Sequence, residues 1–400
     1  MMSPAQVICW KKTLLPLLTD DEQALRMTRI NLNRESEIVS VPKAPRVRLE
    51  VLDVLRGFAI LGIFFINLPL MGLMGGSSEV THLSAVDAAA QIFVDLFFEG
   101  TQRGMLQMLF GAGMILLTAK AMSPDGPVSV ADLYLRRNMW LIFFGLLHIF
   151  VVRWGYDILH VYGLAALFLF TFRQLSAPIA FALGLSLTLI VQLMGGGIHG
   201  TELLNTTTNH PAEVDAVQMW YESVKGLGLW STVAEAFGTM LIGLALFKWG
   251  IIQGLRSFRF YWVLMILGYS VGLVLRVSTL DSLSQPTMGS SPSELGRLCM
   301  TIGHISLINM LWQNPSGAKF LSPLKAAGRT AFTLYVMQSV IGIWLLWASW
   351  GPLTQLEFGA AGILATAVMV LALQIALANW WLRKFDEGPL EMLWRRLIRL

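Results

Sequence analysis

Cysteine is almost missing from this 400-residue chain. Cys9 and Cys299 are the two present, far apart, which excludes a disulfide scaffold and a cysteine-built zinc site. Charge is scarce too: Asp, Glu, Lys and Arg make up 14% of the residues, against about 25% in an ordinary soluble domain. That is too little charge to clothe a water-facing surface. His-Glu-x-x-His and Cys-x-x-Cys spacings are absent, so no metal centre is expected. Residues 1–46 lack the apolar core of a signal peptide and read as a disordered cytoplasmic extension. Apolar and aromatic residues are abundant: 55% are hydrophobic, with 14 Trp and 22 Phe, and mean hydropathy is +0.62. These values specify an all-α polytopic membrane protein.

A membrane-crossing helix needs about 20 mostly apolar residues. Ten stretches qualify: 51–74, 102–120, 138–155, 156–173, 177–198, 230–249, 258–277, 294–313, 329–349 and 357–382. The expected fold is therefore a bundle of ten helices over 47–382, with a tight hairpin near Gly155 joining the third to the fourth. Basic residues collect in cytoplasmic loops. With the N-terminus inside, 23 of the 29 Lys and Arg fall on the inner side, which puts both termini in the cytoplasm. Residues 383–400 alternate basic and bulky apolar side chains, the pattern of a helix lying on anionic lipid.

Ionisable groups inside spans are costly and face a partner or a cavity. Asp53 and Arg56, three residues apart, share a helix face at the start of the first span. Asn67 is eleven residues beyond Arg56, about 16 Å along the same face. Asp95, Glu99, Arg103 and Gln107 follow at four-residue intervals and predict one stripe, with a Glu99–Arg103 salt bridge as its structural reading. Beyond them, Gly111 and Gly113 permit close helix contact. His148 sits about mid-span, with Arg136 and Arg137 three turns earlier and Asp157 just past the hairpin. A carboxylate beside an imidazole sets the tautomer for general-base chemistry, making His148 and Asp157 the catalytic candidates. His304 is a second candidate base, and Glu235 is a buried acid for which the sequence suggests no partner.

Several stretches resemble the YeiB-like family of bacterial inner-membrane proteins. They are Leu52-Asp53-Val54-Leu55-Arg56-Gly57-Phe58-Ala59 with Asn67, Met108-Leu109-Phe110-Gly111-Ala112-Gly113, and Arg136-Arg137 leading to Gly145-Leu146-Leu147-His148. Asp157-Ile158-Leu159 and Tyr162-Gly163 follow, then Gly328-Arg329-Thr330-Ala331-Phe332-Thr333-Leu334-Tyr335 with Gln338-Ser339, and Gly388-Pro389-Leu390-Glu391. The family's pattern carries Asn where this chain has Leu334, Trp at Met392 and Gly at Tyr156. The resemblance implies the bacterial inner membrane as location.

More distantly, Leu-Asp-x-Leu-Arg-Gly at the start of a first span is similar to transmembrane acyltransferases such as sugar O-acetyltransferases. That likeness implies a cytoplasmic acyl-CoA donor and transfer to an extracytoplasmic glycan or small-molecule acceptor. Arg136 and Arg137 would then meet the phosphates, and Asp53, Arg56, Asn67, Glu99, Arg103 and Gln107 would line the substrate path. Two other readings stay open: a transporter of a small polar or anionic molecule, built on the polar stripe, and a scaffold whose buried charges are all structural pairs. Expected partners are the bilayer, anionic lipids at the tail and the acceptor, with no nucleic acid.

Overall fold

The computed structural model describes residues 50–74, 84–118, 128–194, 215–280, 291–355 and 358–399. The expected N-terminal extension, 1–46, lies outside the described residues. The described fold is helical, with no strand among the described residues. In chain order the helices are α1 (Glu50–Gly62), α2 (Phe64–Met74), α3 (Ala85–Phe97), α4 (Thr101–Thr118) and α5 (Val128–Leu147). Next come α6 (Leu159–Leu169), α7 (Ala177–Leu193), α8 (Ala216–Lys225), α9 (Gly228–Lys248), α10 (Phe258–Leu280) and α11 (Ser291–Trp312). The last five are α12 (Pro315–Arg329), α13 (Ala331–Ser339), α14 (Pro352–Gln355), α15 (Ala360–Trp381) and α16 (Pro389–Arg399). Two π-helical segments extend α5 and α13, over His148–Val152 and Val340–Leu346.

Among the described residues, five segments are long and apolar enough to cross a membrane: Glu50–Gly72, Val130–Val152, Gly228–Lys248, Phe258–Ser278 and Ala360–Trp381. Pro315–Arg329 and Ala331–Leu346, bent by 74°, make a sixth if counted as one span. The other expected spans coincide with helices that are shorter or more polar. The apolar helices Leu159–Phe172 and Ala177–Leu193 are too short by this measure. In α4 and α11, residues such as Gln102, Arg103, Gln107, Glu294 and Arg297 dilute the apolar character. The third expected span begins earlier than its apolar run, at Val128, and remains helical to Val152.

Close backbone approach ties the parts together. Gly57 on α1 and Gly328 on α12 face each other's helix so tightly that a Cβ would lie 2.1 Å from the Leu324 oxygen and 1.7 Å from the Asp53 oxygen, respectively. No side chain fits there, so helix α12 lies directly on α1. Gly111 plays the expected part against Met240 of α9, whereas Gly113 meets nothing within 4 Å.

The tail folds back onto the bundle. Glu391 on α16 accepts hydrogen bonds from the backbone N–H of Phe332 (2.7 Å) and Thr333 (3.2 Å) and from the Thr333 hydroxyl (2.6 Å). These are donors that the first turn of α13 cannot satisfy internally, and the anion suits the positive end of a helix. Burial pushes the Glu391 carboxyl above its ordinary range, opposed by the three donors. Trp394 packs on Phe332, donates to the Arg137 carbonyl (3.2 Å) and lies beneath the Arg137 guanidinium at 4.7 Å. Glu391→Ala is expected to destabilise this joint by about 1–2 kcal/mol, as for loss of a helix cap, and to make residues 383–400 more susceptible to limited proteolysis. Unchanged tail cleavage would refute the cap.

Candidate functional site

The end of α5 is shaped to bring His148 and Asp157 together. The widened π turn starts at His148 and is closed by Arg153, whose φ of 68° is left-handed, an uncommon conformation for a residue with a Cβ. That reversal returns the chain across the α5 face it has just left. Gly145, one turn before His148, leaves the needed room: a Cβ there would lie 2.3 Å from the His160 nitrogen and 2.6 Å from Asp157 Oδ2.

Asp157 is the hub of the cluster. Its Oδ1 lies 2.7 Å from His148 Nδ1 and its Oδ2 lies 2.9 Å from His160 Nδ1. Asp157 Oδ2 also accepts from the His160 backbone N–H (3.1 Å), and Oδ1 from the Tyr335 hydroxyl (3.4 Å). Tyr335 in turn accepts from the Ile158 N–H at 3.3 Å, and its ring meets the His148 ring edge-on at 5.0 Å. His148, Asp157, His160 and Tyr335 are each no more than 5% exposed. An ionised Asp157 accepts only, so each facing Nδ1 carries the proton. The His148 Nε2 is then a bare acceptor, and it has no hydrogen-bond partner.

A second polar centre joins α4, α9, α10 and α11. Arg297 donates to Glu235 (3.0 Å), to Thr239 (3.4 Å) and to Glu294 on its own helix. Arg103 lies 3.6 Å from the other Glu235 oxygen, while Arg276 lies 3.5 Å from Glu99 and donates to the Asp95 carbonyl. The expected Glu99–Arg103 bridge is therefore replaced by Glu99–Arg276 and Arg103–Glu235. The cause is local: Gly100, at φ +66°, separates α3 from α4, so the four-residue stripe of a continuous helix does not exist there. Glu235 gains two arginine partners, and Arg276 and Arg297 are both buried. Tyr162 on α6 donates to the Arg103 carbonyl at 3.1 Å and so sets this network beside the histidine cluster.

The remaining expected residues lie elsewhere. Arg56 pairs with Asp53 at 3.0 Å and reaches the Gly328 carbonyl at 3.4 Å, at the α12 end of α1. Arg136 is tied to Asp132 at 2.6 Å on the surface. Asn67 is buried in α2, and Gln107 is buried in α4 with its side-chain oxygen unpartnered. His304 is a packing residue: its Nδ1 meets the Tyr269 hydroxyl and its Nε2 the Phe97 carbonyl, both at 2.7 Å, which leaves no free nitrogen. Among the described residues, no group of three or more His, Cys, Asp or Glu is placed to hold a metal ion. Sequence reasoning missed Tyr335, though it ends one of the recognised motifs, and it gave Arg297 no role.

Residues 246–400 match the family described as "Protein of unknown function (DUF418)". The chain is 26% identical to the "Uncharacterized protein YxaH" of Bacillus subtilis (strain 168), over 88% of this chain and 95% of that protein. It is 27% identical to the "Uncharacterized protein YeiB" of Escherichia coli (strain K12), over 86% and 95% respectively. A 39.9 kDa protein of Bacillus acidopullulyticus is 26% identical over 89% and 95%. No solved structure matches the chain. With its motifs in order and likeness along most of both chains, the protein is similar to YeiB and YxaH over nearly their whole length, which supports the YeiB-like resemblance.

Proposed function

We propose that the protein is an integral membrane acyltransferase in which His148 is the general base and Asp157 its positioning partner. The observation that carries this reading is the buried His148–Asp157 contact at 2.7 Å with His148 Nε2 left unpartnered. A base needs its outward nitrogen free and its inward one held by an acceptor, and this arrangement meets both needs. In the proposed step, Nε2 removes the proton of an acceptor hydroxyl or amine as that atom attacks the acyl thioester carbon. The carbon–sulfur bond breaks, and the imidazolium returns the proton to the leaving thiolate. The donor is an acyl-CoA and the acceptor an extracytoplasmic glycan or small molecule. In the topology that accompanies the proposal, ten helical segments cross or enter the bacterial inner membrane, with both termini cytoplasmic. This rests on the basic residues at one end and on the agreement in sequence position between ten helical segments and ten apolar runs.

The test is acyl-CoA turnover by the full chain in nanodiscs, with and without polyol or amine acceptors. His148→Ala is expected to lower turnover by about 10²–10⁴-fold, the usual contribution of a general base, while leaving the thermal midpoint close to that of the parent. No turnover and no CoA affinity in a folded preparation would sink the proposal. Transport is the second reading, favoured by one feature: Arg103 Nε and Glu235 Oε2 are buried without hydrogen-bond partners inside the bundle. Proton-driven uptake into proteoliposomes, abolished by Arg103→Ala, would support it.

A further inference from the structure

Gln338 and Ser339 close one of the sequence motifs, yet the histidine cluster makes no use of them. On α13 they follow Tyr335 by three and four residues and so share its face. The π-helical segment Val340–Leu346 begins immediately after them, and π segments within helices recur at functional sites. Gln338 Nε2 donates to the Ile60 carbonyl in the last turn of α1 (3.2 Å) and to Gln374 Oε1 in the interior of α15 (3.1 Å). These contacts fix both amides. A reversed Gln338 would set its oxygen against the Ile60 carbonyl, acceptor to acceptor, so Gln374 must turn its own oxygen toward Gln338. Three polar atoms are then left without a partner: Gln338 Oε1, Gln374 Nε2 and Ser339 Oγ. Their side chains are no more than 1% exposed. Ser339 stands apart from its peers. The buried hydroxyls of Thr118, Thr188, Ser306 and Thr330 donate to the carbonyl four residues back, and that of Ser339 does not. Buried polar atoms are normally paired, so three orphans on neighbouring side chains describe a site that a hydrogen-bonding occupant completes.

We propose that Gln338, Ser339 and Gln374 form a binding site for a neutral, hydroxyl-rich small molecule. The free set is one acceptor, one amide donor and one hydroxyl able to serve as either. A ligand hydroxyl can accept from Gln374 Nε2 and donate to Gln338 Oε1 through the same oxygen. Among the described residues no charged side chain hydrogen-bonds to these three, and a buried ion without a countercharge is strongly disfavoured. The site begins one helical turn, about 4.5 Å along the axis, from Tyr335, whose hydroxyl reaches Asp157. In the acyl-transfer reading the occupant is the acceptor, which narrows that acceptor to a polyol over an amine. Its role as acceptor rests on that reading, whereas its binding does not.

Glycerol is the probe, titrated into the full chain in nanodiscs prepared without polyols and read by saturation-transfer NMR. Saturable binding is expected for the parent, and at least about tenfold weaker binding for serinol, the same skeleton with an ammonium at its centre. Gln374→Leu should raise the glycerol dissociation constant at least about tenfold, the loss of one hydrogen bond or more. If Gln374→Leu does not fold, Ser339→Ala should weaken binding several-fold. Its ligand-free thermal midpoint should hold or rise, because the lost hydroxyl bonds to nothing in the fold. No saturable glycerol signal, equal binding of serinol, or unchanged isotherms in both variants would overturn the site and leave the three atoms to internal water. A lowered midpoint in ligand-free Ser339→Ala would also overturn it, by showing that the hydroxyl has a partner in the fold. Glycerol binding without acyl-CoA turnover would support this site and refute the acyl-transfer reading alone. Turnover without glycerol binding would refute this site alone.

Discussion

Asp157→Ala should give the largest loss of folded protein among single changes at the histidine cluster. The carboxylate is the common acceptor for His148 Nδ1, His160 Nδ1, the His160 N–H and the Tyr335 hydroxyl. Removing it strands several donors at once, and each buried donor left unpaired costs about 1–3 kcal/mol. Retautomerisation of the imidazoles recovers part of that, but the backbone N–H of His160 has no such option. Asp157→Asn separates structure from chemistry. The amide keeps one acceptor oxygen and the side-chain volume, but its NH₂ faces the other imidazole and forces the wrong tautomer. The expected outcome is a modest drop in thermal midpoint with a loss of turnover of about 10⁴-fold, as for a triad whose orienting carboxylate becomes an amide. An Asp157→Ala protein as stable as its parent in detergent would show that the carboxylate is not the acceptor at the centre of this cluster.

Arg297→Met should be comparably severe for a different reason. Arg297 is 3% exposed and lies between Glu235 and Glu294, which are themselves almost fully buried. Taking the cation away leaves two carboxylates facing one another at a packed helix junction, and breaking a buried pair on one side costs about 3–5 kcal/mol. Arg103, at 3.6 Å, attends only one oxygen of Glu235 and cannot serve both acids. Expression-normalised thermal unfolding would report the loss. The double change Arg297→Met and Glu294→Gln should recover much of it, because one acid goes with the cation and Glu235 keeps Arg103 as its partner. A double variant as unstable as Arg297→Met alone would mean that shape, and not charge pairing, sets the role of Arg297.

Much of the helical organisation could be read from the chain, because the membrane imposes a length on each apolar run. All ten apolar runs coincide with helical segments, although among the described residues five or six segments are long and apolar enough to span by themselves. The sequence put His148 and Asp157 on either side of one short connection, but their contact at 2.7 Å came only from the fold. What failed was any argument that carried helical periodicity across a break. Glu99 lies in the turn that follows α3 and Arg103 lies in α4, with a left-handed glycine between them, and four-residue spacing has no meaning across it. Glu235 had no visible partner because Arg297 lies 62 residues away in sequence. His304 looked like a candidate base until the Tyr269 hydroxyl and the Phe97 carbonyl took up both of its nitrogens.

Scarce charge was the first feature of the sequence, and by itself it determined that this is a helical membrane protein with few places for polar chemistry. A residue's cost in an apolar medium is a property of its own chemistry, so composition and run length suffice to state it. Only the tertiary structure decided which of those few charges neutralise one another, which nitrogen of His148 remains bare, and how Glu391 of the tail reaches the first turn of α13. Those outcomes depend on distances between residues remote in sequence. Packing sets such distances, through close approaches such as Gly57 against α12 and Gly145 against Asp157.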